Sequence, residues 1–94
     1  MTGQESVRAT ATIVNKKGLH ARASAKFVET AAKFRSEVTV TKGDASVSGR
    51  SIMGLMMLAA SLGTTVDLEA QGPDAKEALM ALLTLIAARF HEDE

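Results

Sequence analysis

The sequence predicts an α+β fold, an open-faced β-sandwich in which a four-stranded antiparallel sheet carries three helices on one face. Four short segments alternate apolar and polar residues, which is the period of strands with one buried face. Three other segments are apolar at helical spacing or in a continuous run. The resulting order is βαββαβα. Because each strand has a polar face, only the opposite face needs helices to cover it.

The first half of the chain is predicted to form a strand, a helix and a hairpin. Residues 7–14 alternate and predict the first strand, whose inward residues are Val7, Ala9, Ala11 and Ile13. Residues 21–34 contain no Gly or Pro and carry apolar residues at helical spacing, which predicts the first helix. Residues 36–41 and 45–48 alternate again, and the turn residues 42–44 between them predict a hairpin.

A short helix and a fourth strand are predicted next. Residues 52–60 are almost continuously apolar, with Ser51 as the N-cap and Gly63 as the stop signal. The stripe predicted to be buried consists of Ile52, Leu55, Met56 and Ala59. Residues 65–70 alternate cleanly and predict a strand whose inward residues are Val66, Leu68 and Ala70.

A long helix is predicted to end the fold. Gly72 and Pro73 break the chain, and Asp74 with Glu77 three residues later resembles a capping box. The amphipathic stripe that follows consists of Leu79, Leu82, Leu83, Ile86 and Phe90. The polar head and the acidic residues 92–94 are expected to be frayed.

Composition limits the possible functions. A chain of 94 residues predicts a single domain, 1–94, with an ordered core of about 7–90. Eleven basic residues balance 11 acidic residues, so no net charge favours nucleic acid or anionic lipid. With no Cys and two His, we expect no disulfide, metal or cofactor. No signal-peptide pattern and no apolar stretch of about 20 residues is found, so a cytoplasmic protein is expected.

A histidine and an arginine stand together at the predicted strand-to-helix junction, in the run Gly18-Leu19-His20-Ala21-Arg22. The first N–H groups of a helix lack internal partners and its dipole is positive there, so this position favours an anion. A neutral imidazole has one nucleophilic nitrogen, and a guanidinium binds phosphate oxygens. The pair also fits an ordinary surface pair. No second acid or base stands beside His20, which favours a phosphoryl carrier over a small-substrate enzyme.

Two segments resemble one family. Asn15-Lys16-Lys17-Gly18-Leu19-His20-Ala21-Arg22-Ala23-Ser24-Ala25 is similar to the active-site segment of the HPr family, the histidine phosphocarriers of the bacterial phosphotransferase system. Gly49-Arg50-Ser51-Ile52-Met53-Gly54-Leu55-Met56 resembles its regulatory serine segment, in the same order and spacing. The resemblance covers about residues 7–90 and implies the HPr-like βαββαβα fold.

The resemblance implies roles for individual residues. His20 would accept a phosphoryl group on Nδ1 from enzyme I, which phosphoenolpyruvate charges, and pass it to a histidine of an enzyme IIA-type protein. Arg22 would clamp the phosphate, and the backbone N–H groups of Ala21 and Arg22 are expected to cradle it. Ala23 departs from the family, which usually has proline there, but no reacting group is removed. Ser51 would be phosphorylated by HPr kinase/phosphorylase.

Several alternatives stay open at this stage. From the residues alone, Ser51 is also explained as a simple N-cap. We expect Ile52, Met53 and Met57 to form a docking patch for partners, although methionines also fill gaps in cores. The regulatory, nitrogen-related branch of the phosphotransferase system is favoured over sugar transport, and a third possibility is a regulatory interaction domain acting mainly through Ser51. A monomer is expected.

Overall fold

The computed structural model describes residues 5–92. Its sheet consists of four antiparallel strands, β1 (Glu5–Thr12), β2 (Glu37–Lys42), β3 (Ala45–Ser48) and β4 (Thr65–Gly72). They lie in the order β1-β4-β2-β3, so β4, the last strand in the chain, lies between β1 and β2. The strands alternate as predicted, because apolar residues such as Val66 and Leu68 are buried while their neighbours face solvent.

Three helices cover the apolar face of this sheet: α1 (Ala21–Ala31), α2 (Ile52–Met57) and α3 (Ala75–Ala87). Helix α3 packs on β1 and β4, α2 packs on β3, and α1 packs against both of the other helices. The opposite face is polar, and Thr10 donates across it to the Asp67 carboxylate at 2.9 Å. The predicted open-faced α+β sandwich of order βαββαβα is confirmed.

Apolar side chains of both layers form one core. Phe27 of α1 and Leu82 of α3 are almost completely buried and meet the inward residues of the sheet. All but one of the residues predicted for the α3 stripe are buried, and Leu83 is partly buried against the same core. Burial of each such large side chain contributes roughly 1.5–3 kcal/mol to stability. The core therefore holds α1 and α3 in fixed positions relative to the sheet.

Helices α1 and α2 both end earlier than predicted. Helix α1 ends at Ala31 rather than residue 34. The residues that follow form a tighter turn with hydrogen bonds between residues three apart, such as that from the Phe34 N–H to the Ala31 carbonyl at 3.1 Å. Helix α2 ends at Met57, and Ala59 takes a left-handed conformation with φ of 53°. The chain therefore leaves helix α2 before Gly63.

The buried stripe predicted for α2 is wrong at three of its four positions. Leu55 is completely buried, but Ile52 and Met56 are 41% and 43% exposed and Ala59 is exposed outside the helix. A helix of six residues makes fewer than two turns, so only one of its side chains, Leu55, points directly into the core. Leu58, in the turn after the helix, provides the next buried side chain.

The capping box predicted at the start of α3 is also not formed. Asp74 stands at the N-cap but its side chain makes no capping hydrogen bond. Its carboxylate instead accepts from the Ser36 hydroxyl at 2.6 Å and from the N–H of Arg35 at 3.0 and 3.1 Å. Asp74 therefore links the start of α3 to the segment before β2.

Replacing Asp74 with Asn is expected to destabilise the protein at neutral pH but not in acid. The hydrogen bond from the Ser36 hydroxyl, and then that from the Arg35 N–H, lower the pKa of Asp74 below 3.8. Stability that comes from a lowered carboxyl pKa is present above the unfolded pKa and is lost as pH falls through the folded one. Urea unfolding of both proteins should show a difference at neutral pH that shrinks below pH 3.8. A difference independent of pH would contradict this account.

Candidate functional site

His20 lies at the end of a loop that is held by backbone hydrogen bonds. The N–H of Ile13 donates to Thr64 and that of Leu19 to Ala60, both at 2.9 Å. Gly18 has a φ of 66°, and a Cβ there would lie 2.4 Å from the Ala60 carbonyl oxygen. Only glycine fits this approach without moving the loop. The backbone before His20 is thus fixed against the segment that follows α2.

The His20 side chain caps the N-terminus of α1. Its Nδ1 accepts the N–H of Arg22 at 3.2 Å, and its backbone is extended, with φ of −75° and ψ of −177°. The first bond of the helix runs from the Ser24 N–H to the His20 carbonyl at 2.8 Å. The N–H groups of the preceding residues, Ala21, Arg22 and Ala23, consequently have no acceptor inside the helix. Nδ1 therefore faces an end of the helix that favours negative charge.

The other ring nitrogen of His20 contacts a carboxylate. Nε2 lies 2.5 Å from Oε2 of Glu92, and the two side chains are 26% and 12% exposed. Because Nδ1 accepts a hydrogen bond and the carboxylate only accepts, the network assigns the proton of neutral His20 to Nε2. The lone pair is then on Nδ1, the nitrogen that faces the helix N-terminus.

Asn15 holds the second oxygen of Glu92. This side chain is completely buried, and its Nδ2 donates to Oε1 of Glu92 at 3.1 Å and to the Gly18 carbonyl at 2.9 Å. Burial of the Glu92 carboxyl raises its pKa, but hydrogen bonds from His20 and Asn15 and attraction to His20 and Lys26 lower it by more, so the pKa lies below 4.5. Glu92 is therefore an anion at neutral pH.

The fraying predicted for the acidic tail is wrong at Glu92, and residues 93–94 lie outside the described part. A short C-terminal turn, Arg89–His91, brings Glu92 back to the His20 loop. Phe90 is completely buried, and its carbonyl accepts a hydrogen bond from Lys26 Nζ at 2.7 Å. These two contacts hold the turn against α1.

Arg22 and its neighbours are placed as the local sequence suggests, but the guanidinium has no role within the structure. Arg22 and Ala21 are exposed, and within residues 5–92 the Arg22 side chain makes no hydrogen bond or ion pair. The guanidinium is free to turn towards a group bound at His20. Ala23 is completely buried in the core, so a small side chain fits this position.

Ser51 caps α2, which packs beside α1. Its hydroxyl accepts the N–H of Gly54 at 2.9 Å, and the N-cap predicted for it is confirmed. On the outer side of α2, Met53 and Met57 are 73% and 77% exposed, and Ile52 is half-exposed. The Met53 and Met57 side chains are available to another molecule rather than used as core filling.

Two residues of the site, Asn15 and Glu92, are not predicted from the sequence. Asn15 lies inside the recognised segment, but nothing in its local pattern distinguishes a buried hydrogen-bond donor from a turn residue. Glu92 is 72 positions away from His20 and sits among acidic residues with no periodicity. Among residues 5–92 no cluster of three or more His, Asp or Glu side chains could hold a metal ion. No helix in that range is long and apolar enough to cross a membrane.

Comparison with known proteins gives concordant matches in sequence and structure. The family model described as "PTS HPr component phosphorylation site" matches residues 7–88. The phosphocarrier protein HPr of Neisseria meningitidis serogroup A is 60% identical over 82 residues, covering 87% of this chain and 92% of that protein. The phosphocarrier protein NPr of Shewanella violacea is 43% identical over 81 residues, covering 86% and 89%.

Solved structures agree with these matches. HPr-C-His from Thermoanaerobacter tengcongensis superposes with a TM-score of 0.89 at 46% identity, covering 94% of this chain and 99% of that one. An HPr dimer from the same organism has a TM-score of 0.74 at 49% identity, covering 89% and 97%.

Proposed function

The chain belongs to the HPr family of phosphotransferase-system phosphocarriers, and from this premise we propose that it carries the phosphoryl group on Nδ1 of His20. The proposal depends on one observation. Nε2 is engaged by Glu92, whereas Nδ1 faces the N–H groups at the start of α1. An in-line transfer needs a lone pair at the attacking nitrogen and positive potential around the phosphate oxygens. Nδ1 offers both once the Arg22 N–H, which it accepts at 3.2 Å, turns to the incoming phosphate.

The proposed partners are enzyme I as donor and an enzyme IIA-type protein as acceptor. Nδ1 attacks the phosphorus of a phosphohistidine on enzyme I, which phosphoenolpyruvate has charged. The first-turn N–H groups of α1, including that of Arg22 once it leaves Nδ1, and the guanidinium of Arg22 bind the phosphate oxygens. Because His20 is partly exposed, the group stays accessible for the second transfer to a histidine of the acceptor. The reaction takes place in the cytoplasm, where these partners are expected.

The proposal is tested by incubating the full chain with phosphoenolpyruvate and a cognate enzyme I. Intact-mass analysis should show one added phosphoryl group that is lost in acid. Long-range ¹H–¹⁵N spectra should place it on Nδ1, because the two ring nitrogens give different shifts when phosphorylated. The absence of an acid-labile group, or a group on Nε2, would overturn the proposal.

We also propose that HPr kinase/phosphorylase phosphorylates Ser51. The hydroxyl stands at the N-terminus of α2, where the helix dipole stabilises a phosphate, so little refolding is needed. Intact-mass analysis with the kinase and ATP should give an acid-stable group that Ser51→Ala abolishes. A group that persists in Ser51→Ala would contradict the assignment.

Ser51→Asp is expected to slow phosphorylation of His20 by enzyme I. Helix α2 packs beside α1, and the segment after it reaches the His20 loop, where the Leu19 N–H donates to the Ala60 carbonyl. We propose that a donor docked on α2 and at His20 also covers Ser51, at the start of α2. A negative charge at Ser51 repels a phosphorylated donor that approaches this surface. Ser48→Asp, at an exposed position at the end of β3, is the matched control. Equal rates for the Ser51 variant and the parent would contradict the antagonism.

The exposed side chains of α2 are proposed to form the docking patch that both partners use. Methionines adapt to differently shaped partners, and Met53 and Met57 are the most exposed large apolar residues within the described range 5–92. Met53→Asp should lower the rates of both transfers while thermal unfolding stays unchanged. Met80→Asp, at an exposed position on α3, is the control. Unchanged rates in Met53→Asp would show that the patch is not used.

The nitrogen-related branch is the proposed setting. The curated phosphocarriers that this chain is similar to include proteins named HPr and one named NPr. Assaying each enzyme IIA of the source organism for phosphate from His20 decides between this branch and sugar transport. Phosphorylation at Ser51 with no transfer from His20 would favour a regulatory interaction domain. We propose a monomer, and sedimentation is the check because an HPr dimer is known from T. tengcongensis.

A further inference from the structure

The C-terminal turn, Arg89–His91, has an unusual backbone. Its three residues all have positive φ, 58°, 55° and 61°, although none is a glycine. Non-glycine residues rarely take this conformation singly, and a run of them persists only where surrounding contacts hold it. Phe90 and Lys26 supply such contacts. The turn reverses the chain after α3 and directs the Glu92 side chain to the His20 ring.

Glu92 is held by two donors that belong to the site. Oε2 meets His20 Nε2, and Oε1 accepts from the completely buried Asn15. Asn15 is further tied to the Gly18 carbonyl. Its Oδ1 has no hydrogen-bond partner among residues 5–92. The amide is thus oriented entirely by its two donor contacts, to Gly18 and to Glu92.

The charge on the His20 ring changes during the transfer. As the Nδ1 lone pair forms the bond to phosphorus, the bond between phosphorus and the donor's nitrogen breaks and its electron pair returns to the donor. The His20 ring keeps its proton on Nε2 and becomes positive. In onward transfer the P–Nδ1 electron pair returns to His20 and the ring is neutral again. No proton has to leave in either direction.

We propose that Glu92 is a positioning residue for this transfer, which holds the Nε2 proton and balances the positive charge of the phosphorylated ring, with Asn15 as its anchor. The inference rests on the proposed phosphoryl function. A carboxylate behind a reacting histidine plays the equivalent part in hydrolytic triads, where it orients the ring and stabilises the imidazolium. Glu92 does not touch the phosphoryl group.

Glu92→Gln tests the charge, because it keeps the size of the side chain and an acceptor oxygen. The rate of phosphorylation by phosphorylated enzyme I should fall about 10- to 100-fold, by analogy with the loss seen when the hydrogen-bond partner of a metal-bound histidine is removed. The equilibrium should also shift towards phosphorylated enzyme I. Glu77→Gln, the same change at an exposed position of α3, is the matched control and should keep the parent rate and equilibrium.

A second measurement tests the contact between His20 Nε2 and Glu92 without any phosphoryl transfer. In the parent, the Nε2 proton of His20 should exchange slowly with solvent in ¹H–¹⁵N spectra, whereas the ring protons of exposed His91 exchange rapidly. Glu92→Ala should remove this protection. Unchanged thermal unfolding in Glu92→Gln establishes that a loss of rate does not come from a disrupted fold.

The outcomes separate this inference from the function on which it rests. A parent chain that accepts no phosphate overturns both. A parent that accepts phosphate no faster than Glu92→Gln and Glu92→Ala overturns the inference alone, as does a parent in which the His20 Nε2 proton exchanges as fast as those of His91.

Discussion

His20→Ala is expected to abolish phosphorylation by enzyme I completely. The substitution removes the nitrogen that we propose attacks phosphorus, and within residues 5–92 the other imidazole, that of His91, is exposed at the far end of the C-terminal turn. Acid-labile phosphate measured by intact mass should be absent in the variant. The N-cap of α1 is lost as well, which costs about 1 kcal/mol, so the variant should still be folded when assayed.

His91→Ala is the matched control for this experiment. It removes the chain's other histidine and should leave the phosphorylation level unchanged. Acid-labile phosphate in His20→Ala, or its loss in His91→Ala, would show that the phosphoryl group is carried elsewhere. Circular dichroism of both variants establishes that neither result reflects unfolding.

Gly18→Ala is expected to be the most destabilising single methyl addition near the site. The new Cβ would lie 2.4 Å from the Ala60 carbonyl oxygen and 2.9 Å from Cα of Ser61, and both are backbone atoms that side-chain rotation cannot move. Left-handed strain and steric overlap together should lower the free energy of unfolding by about 2–4 kcal/mol. The loop would also shift and carry His20 with it. The phosphorylation rate should therefore fall along with stability.

Gly43→Ala separates the two contributions. Gly43 has a similar φ, 59°, but a Cβ there would meet no atom within 4 Å. It should cost only the left-handed strain, roughly 1 kcal/mol. Urea unfolding of both variants gives the comparison. Equal losses of stability would show that the close approach of Gly18 to Ala60 contributes nothing.

The elements of the fold are predictable from this sequence because each has a local cause. In β4 every second residue is buried, and in α3 the buried residues recur at helical spacing. Both patterns arise because one side of the element packs in the core between sheet and helices, so the sequence shows them directly. Helix ends are less predictable. The end of α2 depends on Ala59 taking a left-handed conformation that its residue type disfavours. Asp74 has the sequence of a helix cap, but its carboxylate accepts hydrogen bonds from Arg35 and Ser36 instead of from the first turn of α3. Those two residues are distant in sequence, so the local pattern does not indicate the contact.

The residues of the site also differ in whether the local sequence predicts them. His20 and Ser51 are predictable because position at a helix start is itself a sequence signal, and both cap their helices in the structure. Asn15 and Glu92 are not, because their roles come from a contact between the two ends of the chain. The C-terminal turn that makes the contact has a backbone conformation that no residue preference indicates.

The strand order has a consequence for how the molecule assembles. β2 and β3 are joined by a tight turn and pair with each other, so we expect this hairpin to form early from local contacts. β1, in contrast, pairs only with β4. Glu5 lies opposite Gly72, so this pairing can form only after most of the chain has been made. Closing so long a loop raises the contact order and slows folding. During synthesis, the first strand therefore leaves the ribosome well before its partner, and the contact between His20 and Glu92 cannot form until Glu92 has been made.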